Sequence, residues 1–331
     1  MQPSFFDHQS RLELLERLGD PLPKLERTVQ WEAFRKLLSG VYKKSDPSKG
    51  WRPPFDAILM FKVLVLQHFY NLSDDQTEFQ IRDRYSFCRF LGLSPEGRVP
   101  DAKTIWVFRE RLKKLELVDK RFAELLTQID AAGFTARKGQ VVDAAIVPVP
   151  KQRYSRDENA RIKAGETPED WSDAKRKQKD VQARWTKKHG KTHYGYKNHI
   201  SIDNKHKVIR HYAVTTAEVH DSQVFEALLD ENNSSGDVWA DAAYRDNEWE
   251  QTLPKANYRS HIHRKGTRKR PLNEREQAAN RKRSKTRARV EHVFAQQADR
   301  LIRTIGKQRA EVKIGLMNLV YNMRRMAWLA G

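Results

Sequence analysis

Two aspartates stand in the same short context at widely separated positions of the chain. The tripeptide Asp-Ala-Ala occurs at residues 143 to 145 and again at 241 to 243, each time beside an apolar segment. A carboxylate in such a segment is costly to desolvate unless a cation or hydrogen-bond donors meet it. Asp143 could cap a turn or pair with an arginine, but the repetition at Asp241 favours a shared chemical task for the two carboxylates.

A third acid, Glu291, lies in a predicted helix over residues 281–305. The apolar stripe of this helix comprises Val290, Phe294, Ala298, Leu301 and Ile305. Glu291 lies at the edge of the stripe, with Arg287 one turn before it, so a structural Glu–Arg pair is one interpretation. The other is a set of three carboxylates on two strands and one helix. Such a set can hold Mg²⁺ or Mn²⁺, which activate water and steady a leaving oxygen at a phosphodiester.

Other chemistries have weaker support in the sequence. There is no Walker-type phosphate loop, Gly-rich dinucleotide turn or nucleophile elbow. His189, His193 and His199 lack cysteine companions, which disfavours a zinc site. A single cysteine, Cys88, excludes an intramolecular disulfide and is typical of a reducing compartment.

The charge of the chain indicates a polyanionic partner. The formal net charge is +20, with 63 Lys and Arg against 43 Asp and Glu among 331 residues. Residues 255–289 hold 14 Lys and Arg against Glu274 and Glu276, which favours a phosphate-contacting surface over a solvated tail. The longest apolar run, over residues 55–70, is too short and too polar to cross a membrane, and the first residues do not resemble a secretion signal. We therefore expect an intracellular protein that acts on nucleic acid.

The first 130 residues are predicted to form an all-helical domain. Apolar residues recur at helical spacing, and Ser73 with Gln76 resembles a capping box. The predicted helices cover residues 9–19, 29–38, 55–71, 74–83, 85–91 and 105–112. Short helices with exposed cations suit a helix-turn-helix contact to a duplex, although most small helical domains bind no DNA.

Residues 131–331 are predicted to form an α/β domain. Strands are expected over residues 140–147, 194–203, 208–217, 237–244 and 259–263, and helices over 222–229, 247–253 and 281–305. The turn Asp203-Asn204-Lys205 should join the second and third strands in a hairpin. These elements predict a mixed five-stranded sheet with flanking helices. A polar insertion at about residues 151–191 is predicted to be a solvated loop.

Several segments together resemble the DDE transposases of bacterial insertion sequences, in particular the branch named after insertion sequence five. They are VVDAAIV at 141–147, HYGYKNHISID at 193–203, TTAEVHDSQ at 215–223, WADAAYRD at 239–246 and RARVEHVF at 287–294. The helical segments RPPFDAILMFKVLVLQHFYNLSDDQTEFQIRDRYSFCRFLGL and VPDAKTIWVFRERL are similar to the N-terminal domain of that branch. The resemblance covers the chain from about residue 31 onward.

The resemblance implies a ribonuclease-H-like catalytic domain whose metal-binding and catalytic residues are Asp143, Asp241 and Glu291. In the family's helix a Tyr, an Arg, the Glu and a basic residue follow at fixed spacing. Arg287 and Glu291 match, whereas Ser284 stands at the Tyr position and Ala298 at the basic one. Arg300 or Lys307 could replace that basic residue, or this copy of the transposase could have weakened activity. Lys197, Tyr244, Arg287, Lys285 and Arg283 are the expected DNA contacts.

The sequence therefore predicts a transposase that cleaves at insertion-sequence ends and transfers the strand into target DNA. We expect two Mg²⁺ ions, with Mn²⁺ as a substitute, and double-stranded DNA as the partner of a homodimer, with no membrane. The expected location is the bacterial cytoplasm, associated with the nucleoid. Two alternatives stay open: a domesticated, non-catalytic DNA-binding protein, and a metal-dependent nuclease without strand transfer.

Overall fold

The computed structural model describes residues 7–42, 53–94, 96–188, 190–298 and 300–331. The chain divides into two compact units. Unit 1 comprises residues 1–134 together with 315–331, and unit 2 comprises Thr135–Ile314. The sequence-based division at residue 130 lies near the first boundary, but the C-terminal residues 315–331 group with the helical unit. The described part of the chain contains no helix long and apolar enough to span a membrane.

Unit 1 is helical and is built around one buried helix. The helices are α1 (Asp7–Arg17), α2 (Leu22–Thr28), α3 (Arg35–Leu38), α4 (Ala57–Phe69), α5 (Asp74–Asp83), α6 (Tyr85–Leu91), α7 (Ala102–Lys114), α8 (Leu117–Ala131) and the end of α14 (Lys307–Leu329). Helix α4 is buried almost all round, as its sequence predicts. Asp56 caps it by accepting hydrogen bonds from the backbone N–H groups of Ile58 and Leu59 at 2.9 and 3.1 Å.

Other predictions for unit 1 are confirmed or corrected in detail. The predicted helices 74–83 and 85–91 have these bounds in the structure, and Ser73 and Gln76 form the capping box. The predicted helix 29–38 is a 3-10 turn, Trp31–Phe34, followed by α3. Helix α8 was not predicted individually.

Unit 2 contains a six-stranded mixed sheet flanked by helices. The strands are β1 (Gln140–Pro148), β2 (Arg184–Lys188), β3 (Lys191–Asp203), β4 (Ile209–Thr216), β5 (Asp237–Trp239) and β6 (Arg259–Ser260). Their order is β2-β3-β1-β5-β6, with β4 also paired to β3. The pairs among β1 to β4 are antiparallel, whereas β1, β5 and β6 run parallel. The predicted mixed α/β sheet and the β3–β4 hairpin are confirmed, with one strand more than expected.

Strand β1 lies at the centre of this sheet and begins at a glycine. Gly139 has a φ of +77°, and a Cβ there would lie 2.4 Å from the backbone oxygen of Asp237. Only glycine permits both this backbone conformation and this close approach of β5 to β1. On the other side, β3 pairs with β1 over its whole length, from Gln140 opposite Asp203 to Pro148 opposite Gly195. The sheet therefore fixes β1 tightly on both sides.

The polar insertion is folded, so the prediction of a solvated loop was wrong. It contains α9 (Arg156–Lys163), α10 (Asp173–Gln178) and β2. Its anchor is Asp180, only 2% exposed. The carboxylate of Asp180 accepts hydrogen bonds from the Tyr196 hydroxyl at 2.9 and 3.0 Å and from the Gly306 backbone N–H at 3.2 Å. A few buried contacts thus order a segment that is polar overall.

Several elements of unit 2 differ in extent from the prediction. The strand predicted over 237–244 ends at Trp239, and the one predicted over 259–263 has two residues. Residues 222–229 form two 3-10 turns, Asp221–Val224 and Glu226–Leu228, instead of a helix. The predicted helix 281–305 is α12 (Glu274–Arg287), a 3-10 turn (Ala288–Val290) and α13 (Glu291–Gln297). Helix α11 (Asn247–Lys255) extends slightly beyond its prediction.

Candidate active site

Asp143 lies within β1, and Asp241 lies two residues beyond the end of the neighbouring parallel strand β5. Val141 of β1 pairs with Trp239 of β5, and each aspartate follows two residues later in its chain. The register therefore brings β1 next to the segment that follows β5, and the charge of Asp241 acts on the Asp143 carboxyl. Beyond β5, Asp241 caps the 3-10 turn Ala242–Tyr244 by accepting a hydrogen bond from the Ala243 backbone N–H at 2.7 Å.

The carboxylate of Asp143 is buried and fully engaged. It is 5% exposed. One oxygen accepts a hydrogen bond from the Ala144 backbone N–H at 2.8 Å, and the other forms an ion pair with Nη1 of Arg287. Burial raises the pKa of Asp143 to about 6, and the charge of Asp241 adds to that rise, whereas Arg287 opposes it. The ionised form of Asp143 is therefore stabilised by a nearby positive charge.

Arg287 and Glu291 lie in different surroundings. Arg287, the last residue of α12, forms an ion pair with Asp143. The partner of Arg287 is therefore Asp143 and not Glu291, the partner that the sequence offered as an alternative. Glu291 begins α13 and is exposed. The intervening 3-10 turn has about 3.0 residues per turn instead of 3.6, so Glu291 is rotated away from the direction of Arg287. Among the described residues, no three His, Cys, Asp or Glu side chains are grouped as a metal site requires.

The predicted DNA contacts differ in their accessibility. Lys197 is engaged inside the unit, where its Nζ donates to the Val219 carbonyl at 2.6 Å and to Asp221 at 2.8 Å. Tyr244 is fully buried, and burial with the charges of Asp221, Asp143 and Asp241 raises its pKa well above the ordinary value. A buried hydroxyl cannot touch DNA as the fold stands, so this argues against the expected direct contact of Tyr244.

The other two predicted contacts lie on α12. Lys285 is exposed, and Arg283 is half-buried and donates to the Ile262 carbonyl at 3.0 Å. Burial, and then the charges of Arg264 and Arg245, lower the pKa of Arg283. Lys285 is therefore free to meet a phosphate, whereas Arg283 also fixes α12 to the segment after β6.

Two residues near the site, Lys188 and Asp221, were missed by the sequence interpretation, and a third, His199, was considered only as a zinc ligand. Lys188 of β2 donates to the Ala144 carbonyl at 3.4 Å, and its charge acts on both Asp143 and His199. His199 is fully buried, and burial lowers its pKa to about 4, so it is neutral at physiological pH. Asp221 pairs with Lys197 and contributes to the field at Tyr244. The signal for Lys188 was hidden because its segment was interpreted as a loop.

The donor set fits a divalent cation in part. Mg²⁺ in proteins is commonly held by one or two carboxylates together with substrate phosphates, and Asp143 and Asp241 supply two adjacent carboxylates. Arg287 already balances the negative charge of Asp143, so a metal ion would have to compete with that ion pair. Glu291 stands outside the pair in the described structure.

A cationic surface and two neighbouring aspartates in an α/β unit are compatible with chemistry at a phosphodiester. Comparison with known families narrows this chemistry. The family described as "Transposase DDE domain" matches residues 135–323, and "Transposase domain (DUF772)" matches residues 10–111. The first match covers more than half of the chain, so the chain belongs to the DDE transposases and is a DNA transposase. This family implies the use of divalent metal ions and a DNA partner.

One solved structure was also found to be similar. The chain aligns with "Cryo-EM structure of piggyBac transposase synaptic complex with hairpin DNA (SNHP)" at a TM-score of 0.49 and 12% identity. The alignment covers 94% of this chain and 75% of that chain.

Proposed function

We propose that this transposase cleaves the ends of a bacterial insertion sequence and joins them to target DNA, with Asp143, Asp241 and Glu291 as its metal-binding residues. We also propose that it belongs to the insertion-sequence-five-like branch and that unit 2 has a ribonuclease-H-like fold. The observation that carries the proposal is the proximity of Asp143, within β1, to Asp241, just after the paired strand β5, in a DDE transposase.

Each residue has a distinct task in this proposal. Divalent ions, Mg²⁺ with Mn²⁺ as substitute and two per site, would supply activation of water and charge neutralisation at the phosphodiester. Asp143 would bind from β1 and Asp241 from the turn that follows β5, both held in place by backbone hydrogen bonds. Glu291 completes the site from the start of α13, which requires this helix to approach the aspartates. Arg287 would balance the charge of Asp143 in the metal-free site and would be available to a DNA phosphate in the metal-loaded one.

The DNA would lie along the cationic surface of α12 and the segment before it. Lys285 and Arg283 neutralise backbone phosphates there, and the cations of the 151–191 insertion extend the surface. Lys197 does not touch the DNA in this proposal. It positions Asp221 through an ion pair, so any effect on DNA is indirect. Two element ends must be paired before joining, so we propose a homodimer on DNA. Its proposed location is the bacterial cytoplasm, associated with the nucleoid.

Cleavage of a duplex that carries the inverted repeat beside the reading frame tests the proposal. Asp143→Asn, Asp241→Asn and Glu291→Gln should each lower Mg²⁺-dependent cleavage by roughly a hundred- to a thousand-fold, since the metal contributes several kcal/mol. Glu226→Gln, an exposed acid of unit 2, is the matched control and should cleave normally. Normal cleavage by any one of the first three variants would refute that residue's role.

A strand-transfer assay with pre-cut ends separates the proposal from its alternatives. Joined products are expected for the transposase. A nuclease would cleave the uncut duplex but give no joined product. A domesticated DNA-binding protein would bind the end without any Mg²⁺-dependent product, and the ion pair between Arg287 and Asp143 would then be its permanent state.

A further inference from the structure

A cationic cavity lies in unit 2 between the turn after Tyr244, the segment after β6 and the first turns of α12. Its volume is about 360 Å³. Four cations line it, together with one hydroxyl and one carboxylate: Arg245, Arg264, Lys265, Arg270, Thr267 and Glu276. This set contains neither of the paired aspartates, so the cavity is a separate feature of the same unit.

The cavity keeps an excess of positive charge. Oε2 of Glu276 accepts a hydrogen bond from the Asn273 backbone N–H at 3.1 Å, and Oε1 accepts one from Arg264 at 2.9 Å. These contacts hold the pKa of Glu276 below its ordinary value. Its single negative charge is shared between Arg264 at 2.9 Å and Arg270 at 3.8 Å. Arg245 pairs with Glu250 at 3.3 Å. Among the described residues, no carboxylate forms an ion pair with Lys265.

The backbone around the cavity is fixed, whereas the side chains of Arg264, Lys265 and Arg270 are exposed. Asn280 of α12 clamps Arg264 by accepting from its backbone N–H at 3.0 Å and donating to its carbonyl at 2.9 Å. Thr267 and Arg270 exchange backbone hydrogen bonds at 2.9 and 3.1 Å. The side chain of Arg270 is 85% exposed. Such an arrangement lowers the entropic cost of binding an anion, because only the side-chain ends must be ordered.

Phosphate is the anion that suits this lining best. Arginine guanidinium groups bind phosphate oxygens through two parallel hydrogen bonds, and lysine adds a compact charge. The crowding of like charges is already visible at Arg283, whose pKa is lowered by burial and then by Arg264 and Arg245. A bound phosphate would relieve this repulsion.

We propose that this cavity binds one backbone phosphate of the transposase's DNA substrate, at a fixed distance from the cleavage position. Glu276 at the cavity and Arg287 at Asp143 lie on one uninterrupted helix, α12. Their separation of 11 positions corresponds to roughly 16 Å at about 1.5 Å per residue. That length is roughly five base steps at about 3.4 Å each. The inference rests on the proposed function, because it needs the cleaved phosphodiester to lie at Asp143 and Asp241.

A phosphate-by-phosphate scan tests the inference. The full-length protein is bound, without divalent metal, to end-bearing duplexes in which one phosphate at a time is replaced by an uncharged methylphosphonate. The scan covers the helical turn of duplex next to the cleavage position. Neutralising a phosphate roughly five steps away should weaken binding roughly tenfold, since a charged hydrogen bond is lost. The absence of any sensitive phosphate in this turn would overturn the inference.

Two double variants assign the effect to the cavity. Lys265→Gln with Arg270→Gln removes two exposed lining cations, so the duplex with the neutralised phosphate should bind this variant no more weakly than the unmodified duplex. Arg268→Gln with Lys269→Gln is the matched control: it removes two exposed cations of the same segment that do not line the cavity. The control should retain the positional tenfold loss. Equal positional losses in both variants would contradict the assignment.

Two further outcomes are informative. One identifies the source of the bound phosphate, and the other distinguishes failure of the cavity assignment from failure of the proposed function. If millimolar inorganic phosphate protects Lys265 from acylation while duplex DNA does not, the cavity is a small-anion site and the DNA assignment is wrong. If the wild-type protein does not distinguish the end-bearing duplex from a scrambled one, the proposed function fails. Retained end recognition without a cavity-dependent phosphate overturns the cavity assignment alone.

Discussion

The electrostatics of the site depend most strongly on Asp143. Its carboxylate is almost completely buried on the central strand of the sheet, with one backbone N–H and one arginine as partners. These partners do not fully offset the loss of water, so the pKa stays raised at about 6. The buried, ionised carboxylate lowers the stability of the metal-free fold, but it favours the binding of a cation. Functional sites commonly lower the stability of a protein in this way.

A pH-dependent gain in stability follows from this raised pKa. In the metal-free protein, Asp143→Asn should raise the free energy of unfolding near pH 8 by up to about 3 kcal/mol, because the folded pKa is about 6 against an ordinary value of 3.8. The folded aspartate takes up its proton as the pH falls through 6. The gain should therefore shrink below that pH and vanish below about pH 4.

Denaturant unfolding over this pH range measures the effect. Asp170→Asn, at an exposed position of the insertion, is the control and should show no such gain. A variant Asp143→Asn that is less stable than wild type at the alkaline end would show that Arg287 and Ala144 compensate the buried charge completely.

Tyr244 gives a second prediction at the same scale. Its hydroxyl is buried and has no hydrogen-bond partner among the described residues. Removing an unsatisfied buried polar group is neutral or stabilising, so Tyr244→Phe should leave the unfolding free energy unchanged or slightly higher. Binding to an end-bearing duplex, measured by titration, should stay within about twofold of wild type. A large loss of affinity would restore the direct DNA contact that the sequence resemblance implied.

At the scale of elements, the insertion depends on one buried carboxylate. Asp180 receives hydrogen bonds from Tyr196 and from the backbone N–H groups of Gln182 and Ala183, both at 3.0 Å. Asp180→Ala leaves these donors unsatisfied and should destabilise the protein by roughly 2–4 kcal/mol. Denaturant unfolding is the measurement, with Asp170→Asn as an exposed control in the same insertion. An unchanged stability would show that the insertion is not anchored through this residue.

Local patterns were enough to predict elements whose ends are stabilised by side chains or turns that are close in the sequence. The capping box at Ser73 and Gln76 defines the start of α5, and the alternation around Asp203-Asn204-Lys205 defines the β3–β4 hairpin. Non-local contacts decided the rest. The insertion folds because Asp180 meets Tyr196 and Gly306, which lie far away in the sequence. Strand β2 is ordered by its pairing with β3.

The candidate site shows the same limit. The repeated Asp-Ala-Ala pointed to two carboxylates, and the parallel register of β1 and β5 brings them together. The position of Glu291 could not be predicted in the same way, because a periodic pattern does not reveal a 3-10 turn inside a helix. That turn, Ala288–Val290, begins directly after Arg287 and changes which residue faces Asp143.

At the scale of the whole molecule, the net charge of +20 should govern DNA binding through salt. If about 6–10 phosphates are contacted, affinity should fall roughly 10³- to 10⁵-fold between about 50 and 200 mM salt. A titration series at increasing salt measures this slope. A nearly flat slope would mean that the cations of residues 255–289 are not at the DNA interface.

The central claim is that Asp143 and Asp241 jointly hold a divalent cation at the DNA phosphate. Binding of Mn²⁺, followed by its electron paramagnetic resonance signal in the complex of full-length protein with end-bearing duplex, tests this claim without requiring cleavage. We predict that Asp143→Asn and Asp241→Asn each abolish the bound-ion signal while Glu226→Gln retains it. Undiminished Mn²⁺ binding in either aspartate variant would contradict the account.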